Sequence, residues 1–290
     1  MSKEPIYYLN GKYISKSKAK ISVNDLGFLR NYSVFEFLRT YNGIPFYLDA
    51  HLTRLENSAK TVGIKLPNSQ KMLKKIITKL LDLNKQFNEK KIHIIVTGGR
   101  AEDSITYQGK PTIVIMIGEL IKNPPAIYRQ GIKVITEDYN RNNSSAKTTD
   151  YFHAIKSLQK AKSKGAEEVI YLNNKEGLVY EGSRSTVFIV KNGKVQSPNH
   201  GVLPGITASV VLKLLQKEFT IIKEMVTPKE LFDADEIFIT ATTKEIVPVV
   251  QVNNMKVGNG KVGSITKLIM SRFKTYTENW SGKKLTKSLI

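Results

Sequence analysis

The stretch FEFLRTYNGIPFYL, residues 35–48, contains the strongest short-range signal for the fold. Asn42-Gly43 separates two apolar runs, and this dipeptide favours the tight turn of an antiparallel hairpin. Asn10-Gly11, within IYYLNGKYI, is the same dipeptide near the start of the chain. The sequence therefore predicts that the chain begins with antiparallel strands.

After this hairpin the apolar spacing becomes helical. Apolar residues recur at three- and four-residue steps, at Leu52, Leu55, Ala59 and Val62. The pattern predicts a helix that Asp49 caps and Gly63 ends. A second helix is predicted over residues 70–83.

The rest of the chain alternates apolar strands with fewer helices. Strands are predicted at residues 91–97, 111–118, 132–136, 168–172, 185–190, 235–240 and 246–252, and helices from about Asp150 and from Ala208. Pro124-Pro125 interrupts both periodicities. We predict a small α+β domain at 1–121, a linker at 122–131 and a larger domain at 132–290 that ends in a short C-terminal tail. Because strands outnumber helices and occur in hairpins, the fold class is α+β with mixed and antiparallel sheets.

Composition excludes several classes of protein. The chain has no cysteine and four scattered histidines, which excludes disulfides and thiolates and argues against a metal site. No apolar run reaches the roughly 18 residues of a membrane span, so we expect a cytoplasmic protein without membrane contact. The net charge of +20 comes mostly from dispersed lysines without a nucleic-acid-binding motif. Specific nucleic-acid binding is therefore not expected.

Two charged residues in the second half of the chain are candidate functional residues. Lys147 lies in SSAKTTDYFHAI, between a polar loop and the apparent start of a helix. Glu181 precedes an apolar strand in VYEGSRSTVFIV, which places a carboxylate at the end of a core element. Taken singly, a solvated surface charge and a turn carboxylate that accepts backbone amides explain these residues better.

Other segments contain groups suited to an anion. In GVLPGITASVVLKLL, Pro204 and Gly205 form a turn, and Thr207 can cap a helix whose first N–H groups favour an anion. Thr242 follows a strand in FITATTKEIVPVV. Arg54 lies beside the apolar face of the first helix, where its guanidinium is able to bind a phosphate in a bidentate manner. Ordinary helix caps and a surface arginine are the alternatives.

The order of these segments resembles the class IV aminotransferases, the fold-type IV enzymes that use pyridoxal 5'-phosphate. The similarity covers roughly residues 7 to 255 and consists of FLRNYSVFEFLR, LDAHLTRLENSA, AKTTDY, EGSRSTVFIV, LPGIT and TATTKEIVPV. The resemblance implies a transaminase with an amino acid and a 2-oxo acid as substrates, and a homodimer.

The resemblance also assigns roles to individual residues. It implies that Lys147 forms the Schiff base with the cofactor and that Glu181 contacts the pyridine nitrogen. It further implies a phosphate site, made by Arg54, the backbone amides of Ile206 and Thr207, Ala241 and Thr242. Ala241 replaces a frequent serine, which leaves only a backbone donor there.

The residues that distinguish the branches of the family are mixed in this sequence. Phe35-Glu36 resembles branched-chain aminotransferases, but Phe37 replaces their glycine, and Tyr151 follows the lysine by four residues where that branch has five. Phe35 and Tyr151 are predicted to contact substrate. The usual carboxylate-binding pair of D-amino-acid transaminases is absent, although Arg100 remains a candidate.

Two further arginines, Arg30 and Arg184, resemble those of an atypical D-amino-acid transaminase subgroup. They are predicted to bind the substrate carboxylate, with a structural salt bridge as the alternative. D-amino acids are therefore the preferred prediction for the substrate. A branched-chain L-amino-acid aminotransferase and an aminodeoxychorismate lyase are the alternatives, and a basic nucleic-acid-binding protein on an inactive fold is the rival from another class.

Overall fold

The computed structural model describes residues 4–283 and 285. Residues 284 and 286–290 of the predicted C-terminal tail lie outside this range. The chain divides into two compact units. The first comprises the described residues through Ile121, with Ala146–Tyr151 and Trp280–Lys283, and the second comprises Lys122–Ser145 and Phe152–Asn279.

The first unit is a six-stranded antiparallel sheet with two long helices. Its elements are β1 (Ile6–Leu9), β2 (Lys12–Ser15), a 3-10 turn (Lys16–Lys18), α1 (Leu26–Arg30), β3 (Ser33–Tyr41), β4 (Ile44–Pro45), α2 (Leu48–Thr61), α3 (Gln70–Leu83), β5 (Lys90–Thr97) and β6 (Thr112–Glu119). The strand order is β2-β1-β6-β5-β3-β4. The apolar faces of α2 and α3 pack on one face of this sheet, and the buried set includes Leu52, Leu55, Leu73, Ile77, Ile92 and Ile115.

The predicted helix caps are only partly correct. The range predicted for α3 is confirmed. Asp49 does not cap α2, because Tyr47 in a left-handed conformation occupies the position before Leu48. The Tyr47 ring stacks on Trp280, so packing determines the residue at this helix start. Asp49 lies in the first turn instead, where a negative charge favours the helix dipole.

The second unit is built on a mixed sheet. Its elements are α4 (Ala126–Gln130), β7 (Ile132–Asp138), α5 (Phe152–Ser163), β8 (Glu168–Asn173), β9 (Leu178–Gly182), β10 (Thr186–Lys191), β11 (Lys194–Gln196), α6 (Ile206–Leu215), β12 (Ile221–Ile222), α7 (Pro228–Phe232), β13 (Glu236–Ala241), β14 (Glu245–Val252), β15 (Met255–Lys256) and α8 (Ser264–Glu278). The strand order is β12-β11-β10-β13-β14-β7-β8-β9, and β15 pairs with β14. β7 is parallel to both of its neighbours, whereas β13 and β14 form an antiparallel hairpin.

Several segments differ in detail from the sequence-based boundaries. The predicted linker contains α4 and belongs to the second unit. Ala146–Tyr151, predicted within the domain at 132–290, joins the first unit because it pairs with β3. No helix among residues 4–283 is both long and apolar enough to cross a membrane.

Candidate active site

Lys147 lies in an extended segment and not at the start of a helix, since α5 begins only at Phe152. Thr148 forms an isolated antiparallel bridge with Val34. The Phe35 amide donates to the Lys147 carbonyl oxygen at 2.9 Å. Backbone pairing with β3 therefore determines where the lysine leaves the main chain.

The Lys147 side chain lies against an aromatic group in the first unit. Its Nζ is 4.4 Å from the centroid of the Phe35 ring. That ring also contacts Tyr151 and His93, with centroid distances of 5.7 and 5.4 Å. The structure thus brings three of the predicted residues together, and Lys147 is half-buried and not a solvated surface charge.

A buried polar stripe on α2 supports this segment. Ser58 accepts a hydrogen bond from the Lys147 amide at 3.0 Å. His51 and Arg54 lie on the same side of the helix at a helical spacing and are also buried. The surface position considered for Arg54 is therefore wrong.

Arg54 and His51 both bind Glu36, which faces the core between Val34 and Leu38 on β3. The Arg54 Nε and Nη2 donate to the two carboxylate oxygens at 2.6 and 2.9 Å, and the His51 Nδ1 lies 2.7 Å from Oε2. Burial alone would raise the pKa of Glu36, but the Arg54 guanidinium and His51 outweigh it and lower this pKa to about 2. Glu36 is consequently ionised at neutral pH.

His93 is a site residue that sequence reasoning missed. It lies on β5 directly opposite Phe37 of β3, and its ring contacts both Phe35 and Phe37. Burial, followed by the charge of Lys147, lowers the pKa of His93 to about 4. The imidazole is therefore neutral at pH 7.

In the second unit, Glu181 is a buried residue of β9. Its Oε2 accepts a hydrogen bond from the Leu203 amide at 2.9 Å, and its Oε1 lies 3.3 Å from the Arg141 Nε. The turn-carboxylate interpretation is thus correct for Oε2. Because Leu203 lies just before α6, the same carboxylate also fixes the approach to the predicted phosphate segment.

The start of α6 has the features of an anion site. Gly205 precedes Ile206 and provides no side-chain cap, so Thr207 is the second helical residue and not the cap. A Cβ on Gly205 would lie 2.4 Å from the Thr186 Oγ1, so any larger residue would require Thr186 to shift. The first N–H groups of this ten-residue helix therefore lie beside a hydroxyl without a capping side chain.

Ala241 and Thr242 lie where the β13–β14 hairpin turns. Ala241 is the last residue of β13 and pairs with Glu245, and Thr242 begins the turn. The hydroxyl of neighbouring Thr240 is buried and has no hydrogen-bond partner among the residues that the structure describes.

The three candidate arginines are all exposed. Arg184 lies in the turn between β9 and β10, and no residue in the described part of the chain forms an ion pair with it. The Arg30 Nη1 donates to the Leu29 carbonyl oxygen at 2.9 Å, within its own helix. Arg100 lies 3.6 Å from the exposed Glu102 carboxylate.

Comparison with known proteins agrees with these features. The family model of amino-transferase class IV matches residues 33–252, which include both Lys147 and Glu181. The chain belongs to the class IV aminotransferases. The predicted family is therefore confirmed, and the substrates of such an aminotransferase are amino acids and 2-oxo acids.

Relatives of this aminotransferase have two different activities in their descriptions. A "putative branched-chain-amino-acid aminotransferase" of Methanocaldococcus jannaschii is 35% identical over 286 residues, 95% of this chain and 98% of that protein. A D-alanine aminotransferase of Bacillus licheniformis is 33% identical over 269 residues, 90% and 93% of the two chains. A branched-chain amino acid aminotransferase structure from Escherichia coli superposes with a TM-score of 0.89 at 24% identity, covering 97% of each chain, and confirms the α+β fold.

Class IV aminotransferases use pyridoxal 5'-phosphate, which confirms the predicted cofactor. The residues present suit this group: an amine against an aromatic ring, a buried carboxylate, and a helix start without a side-chain cap. An amine, a carboxylate and helix N–H groups are the types of group that the aldehyde, the ring nitrogen and the phosphate of this cofactor require.

Some residues of the aminotransferase were not found from the sequence. Ser58 binds Lys147 across 89 residues of chain. Arg141 binds Glu181 across 40 residues. A serine in a helix and an arginine in a polar loop give no signal by themselves. The spacing of His51 and Arg54 beside Glu36 was a usable signal, because a charge on an apolar strand face requires a partner.

Proposed function

We propose that this aminotransferase exchanges the amino group between a D-amino acid and a 2-oxo acid, with Lys147 as the catalytic amine. The environment of Lys147 is the observation that carries the proposal. Its backbone is held by Phe35 on one side and Ser58 on the other, while its Nζ lies against the Phe35 ring. An amine with a fixed main chain is suited to a precise proton transfer.

Each group has a distinct part in this proposal. When bound, pyridoxal phosphate supplies an electron sink for the substrate Cα. Lys147 removes and returns the proton at that Cα as general base and acid. Glu181 holds the pyridine nitrogen protonated, and the amides of Ile206 and Thr207 hold the phosphate with Thr242.

Arg54 is the last group of the proposed phosphate site, and its guanidinium is already paired within the protein. Its Nε and Nη2 already donate to Glu36. The ion pair with Glu36 would orient the guanidinium for a phosphate. Because the phosphate takes no part in bond making, Arg54 would act on cofactor affinity.

The preference for D-amino acids rests on Arg184. Glu181, the carboxylate nearest to it in sequence, binds Arg141 and the Leu203 amide. Arg184 itself forms no ion pair with any residue that the structure describes, which weakens the salt-bridge alternative. A substrate carboxylate is a suitable bidentate partner for such a guanidinium.

A branched-chain L-amino-acid aminotransferase is the second candidate. The description of the relative that is 35% identical favours it, and the Phe35 ring beside Lys147 is compatible with an apolar substrate. We also propose a homodimer in which Arg30 reaches the neighbouring subunit, because this side chain is exposed at the end of α1. The cytoplasmic location stays a prediction.

Parallel assays test the proposal. D-alanine, L-leucine and aminodeoxychorismate are each offered to the purified holoenzyme, with 2-oxoglutarate as the acceptor for the two amino acids. Amino transfer from D-alanine is expected, and Lys147→Ala should abolish it because alanine has no amine. Lys156→Ala is the matched control, since the Lys156 Nζ also lies over a phenylalanine ring, 5.5 Å from the Phe152 centroid.

The three substrates separate the alternatives. Faster turnover of L-leucine would replace the D-amino-acid proposal by the branched-chain activity. Release of pyruvate from aminodeoxychorismate would indicate the lyase. Full amino transfer by Lys147→Ala would refute the catalytic role of this lysine for every substrate.

A further inference from the structure

Glu168, the first residue of β8, is a fully buried carboxylate with contacts on both oxygens. Oε1 accepts hydrogen bonds from the Ser183 hydroxyl and, at 3.1 Å, from the Val169 amide. Oε2 accepts from the Ser185 hydroxyl and from the Lys244 Nζ, each at 3.4 Å. This side chain therefore binds groups from two different turns of the second unit.

The first of these turns runs from Gly182 to Ser185 and has Arg184 near its tip. The Gly182 amide donates to the Ser185 carbonyl oxygen at 2.7 Å, and the Ser183 amide to the Val169 carbonyl oxygen at 2.9 Å. The two serines that flank Arg184 are buried while Arg184 is exposed. Glu168 thus binds this turn through the hydroxyls of Ser183 and Ser185.

The second turn connects β13 to β14 and contains Thr242 and Lys244. The hairpin closes at Ala241 and Glu245. The Lys244 side chain is only 16% exposed and reaches back to Glu168. The ion pair of Lys244 therefore connects this turn directly to the Glu168 carboxylate.

The attraction within a buried ion pair is offset by the cost of desolvating its two charges, so the presence of the Lys244–Glu168 pair does not by itself indicate a gain in stability. In some proteins a buried pair instead selects one arrangement of the groups that it joins. Glu168 joins a turn that contains Arg184 to a turn that contains Thr242.

We propose that Glu168 is a positioning residue that holds these two turns, and hence Arg184 and Thr242, in one fixed arrangement. The proposal rests on the proposed function, in which Arg184 binds the substrate carboxylate and Thr242 the cofactor phosphate. Loss of the carboxylate should move both ligand groups at once. The proton transfer by Lys147 should not depend directly on the Glu168 carboxylate.

Hydrogen exchange of the holoenzyme tests the link without measuring activity. Glu168→Gln keeps the shape of the side chain but removes its charge, and about tenfold faster exchange is expected in both turns. Glu167→Gln is the matched control, since Glu167 is the adjacent residue, is exposed and undergoes the same chemical change. Unchanged exchange at residues 182–185 and 242–244 in Glu168→Gln would overturn the proposal.

Steady-state kinetics provide a second measurement. Glu168→Gln should raise KM for the amino acid and the oxo acid by about tenfold, with a smaller change in kcat at saturating cofactor. A tenfold loss of kcat with KM unchanged would contradict the proposed positioning role of Glu168. Absence of amino transfer in the wild type would instead refute the proposed function and leave the exchange result to decide on Glu168.

Lys244→Met keeps the proposal testable if Glu168→Gln fails to fold. This variant removes the cation but leaves both serine hydrogen bonds on Glu168. Faster exchange is then expected in the turn at 242–244 and, more weakly, at 182–185, because the carboxylate loses its bridge. If exchange increases only in the turn at 242–244, Glu168 does not connect the two turns and the proposal fails.

Discussion

Glu36→Gln is expected to destabilise the first unit strongly. The pKa of Glu36 is about 2 against an ordinary value of 4.5. This difference, at about 1.4 kcal/mol for each pKa unit, corresponds to about 3 kcal/mol of folding free energy at pH 7. Removal of one partner from a buried ion pair costs about 3–5 kcal/mol by independent reasoning. We therefore expect a loss of about 3 kcal/mol in the free energy of unfolding.

The dependence on pH has a defined sign. Because the folded-state pKa of Glu36 is lowered, its stabilisation is fully present above pH 4.5 and is lost as the pH falls towards 2. At pH 3 the wild type has lost about 2 kcal/mol of this contribution. The difference between wild type and Glu36→Gln should shrink by the same amount.

Urea unfolding followed by tryptophan fluorescence measures this difference. Trp280 is the only tryptophan of the chain, and it stacks on Tyr47 at the start of α2. It therefore reports on the first unit and avoids a mixed signal from two units. Asp82→Asn is the control, because the Lys85–Asp82 pair is exposed at 3.6 Å. A variant within about 0.5 kcal/mol of wild type at pH 7 would refute the reasoning.

Four further substitutions test the candidate site. Arg54→Ala should weaken cofactor binding by about tenfold or more, measured by titrating apoenzyme, while kcat at saturating cofactor changes less. Glu181→Gln should retain the cofactor but slow proton transfer in single-turnover kinetics, since an amide does not stabilise the protonated pyridine; wild-type rates would reduce Glu181 to its contacts with Leu203 and Arg141. Arg184→Gln should raise KM for amino acid and oxo acid alike and leave the cofactor spectrum near normal, while an amine without a carboxylate reacts as before. His93 has a pKa of about 4 in the folded protein and an ordinary value of 6.5 when unfolded, so the wild type should lose stability as the pH falls from 6.5 to 4. His93→Phe should not show this loss, and a pH profile equal to that of the wild type would show that His93 titrates normally.

The sequence predicted well those features that depend on local periodicity. The amphipathic pattern of residues 70–83 defined α3 at both ends, and Ser69 caps it as its residue type favours. The predicted cap of α2 was wrong. Tyr47 occupies the capping position in place of Asp49, and its ring packs on Trp280, which lies far along the chain. Similarly, an extended segment replaces the predicted helix start near Lys147, because this segment pairs with β3.

The contacts of the candidate site depend on long-range pairing, which the sequence does not encode locally. Ser58 binds Lys147, and Lys244 binds Glu168, across 89 and 76 residues of chain. Both become close only after their sheets form. Residue types alone gave no reason to select Ser58 or Lys244 from the other serines and lysines.

Buried carboxylates are the exception, because their position on a strand predicts that a partner exists. Val34, Glu36 and Leu38 alternate on β3, and successive side chains of a strand point to opposite faces, so Glu36 must share the face of its two apolar neighbours. A charge on that face is tolerated only with a cation and hydrogen bonds beside it. The helix that follows the hairpin presents His51 and Arg54 at the spacing that places both on one side, and both bind Glu36. Glu168 begins β8, whose residues are buried through Leu172, so this carboxylate also requires partners. The structure supplies them as Lys244, Ser183 and Ser185.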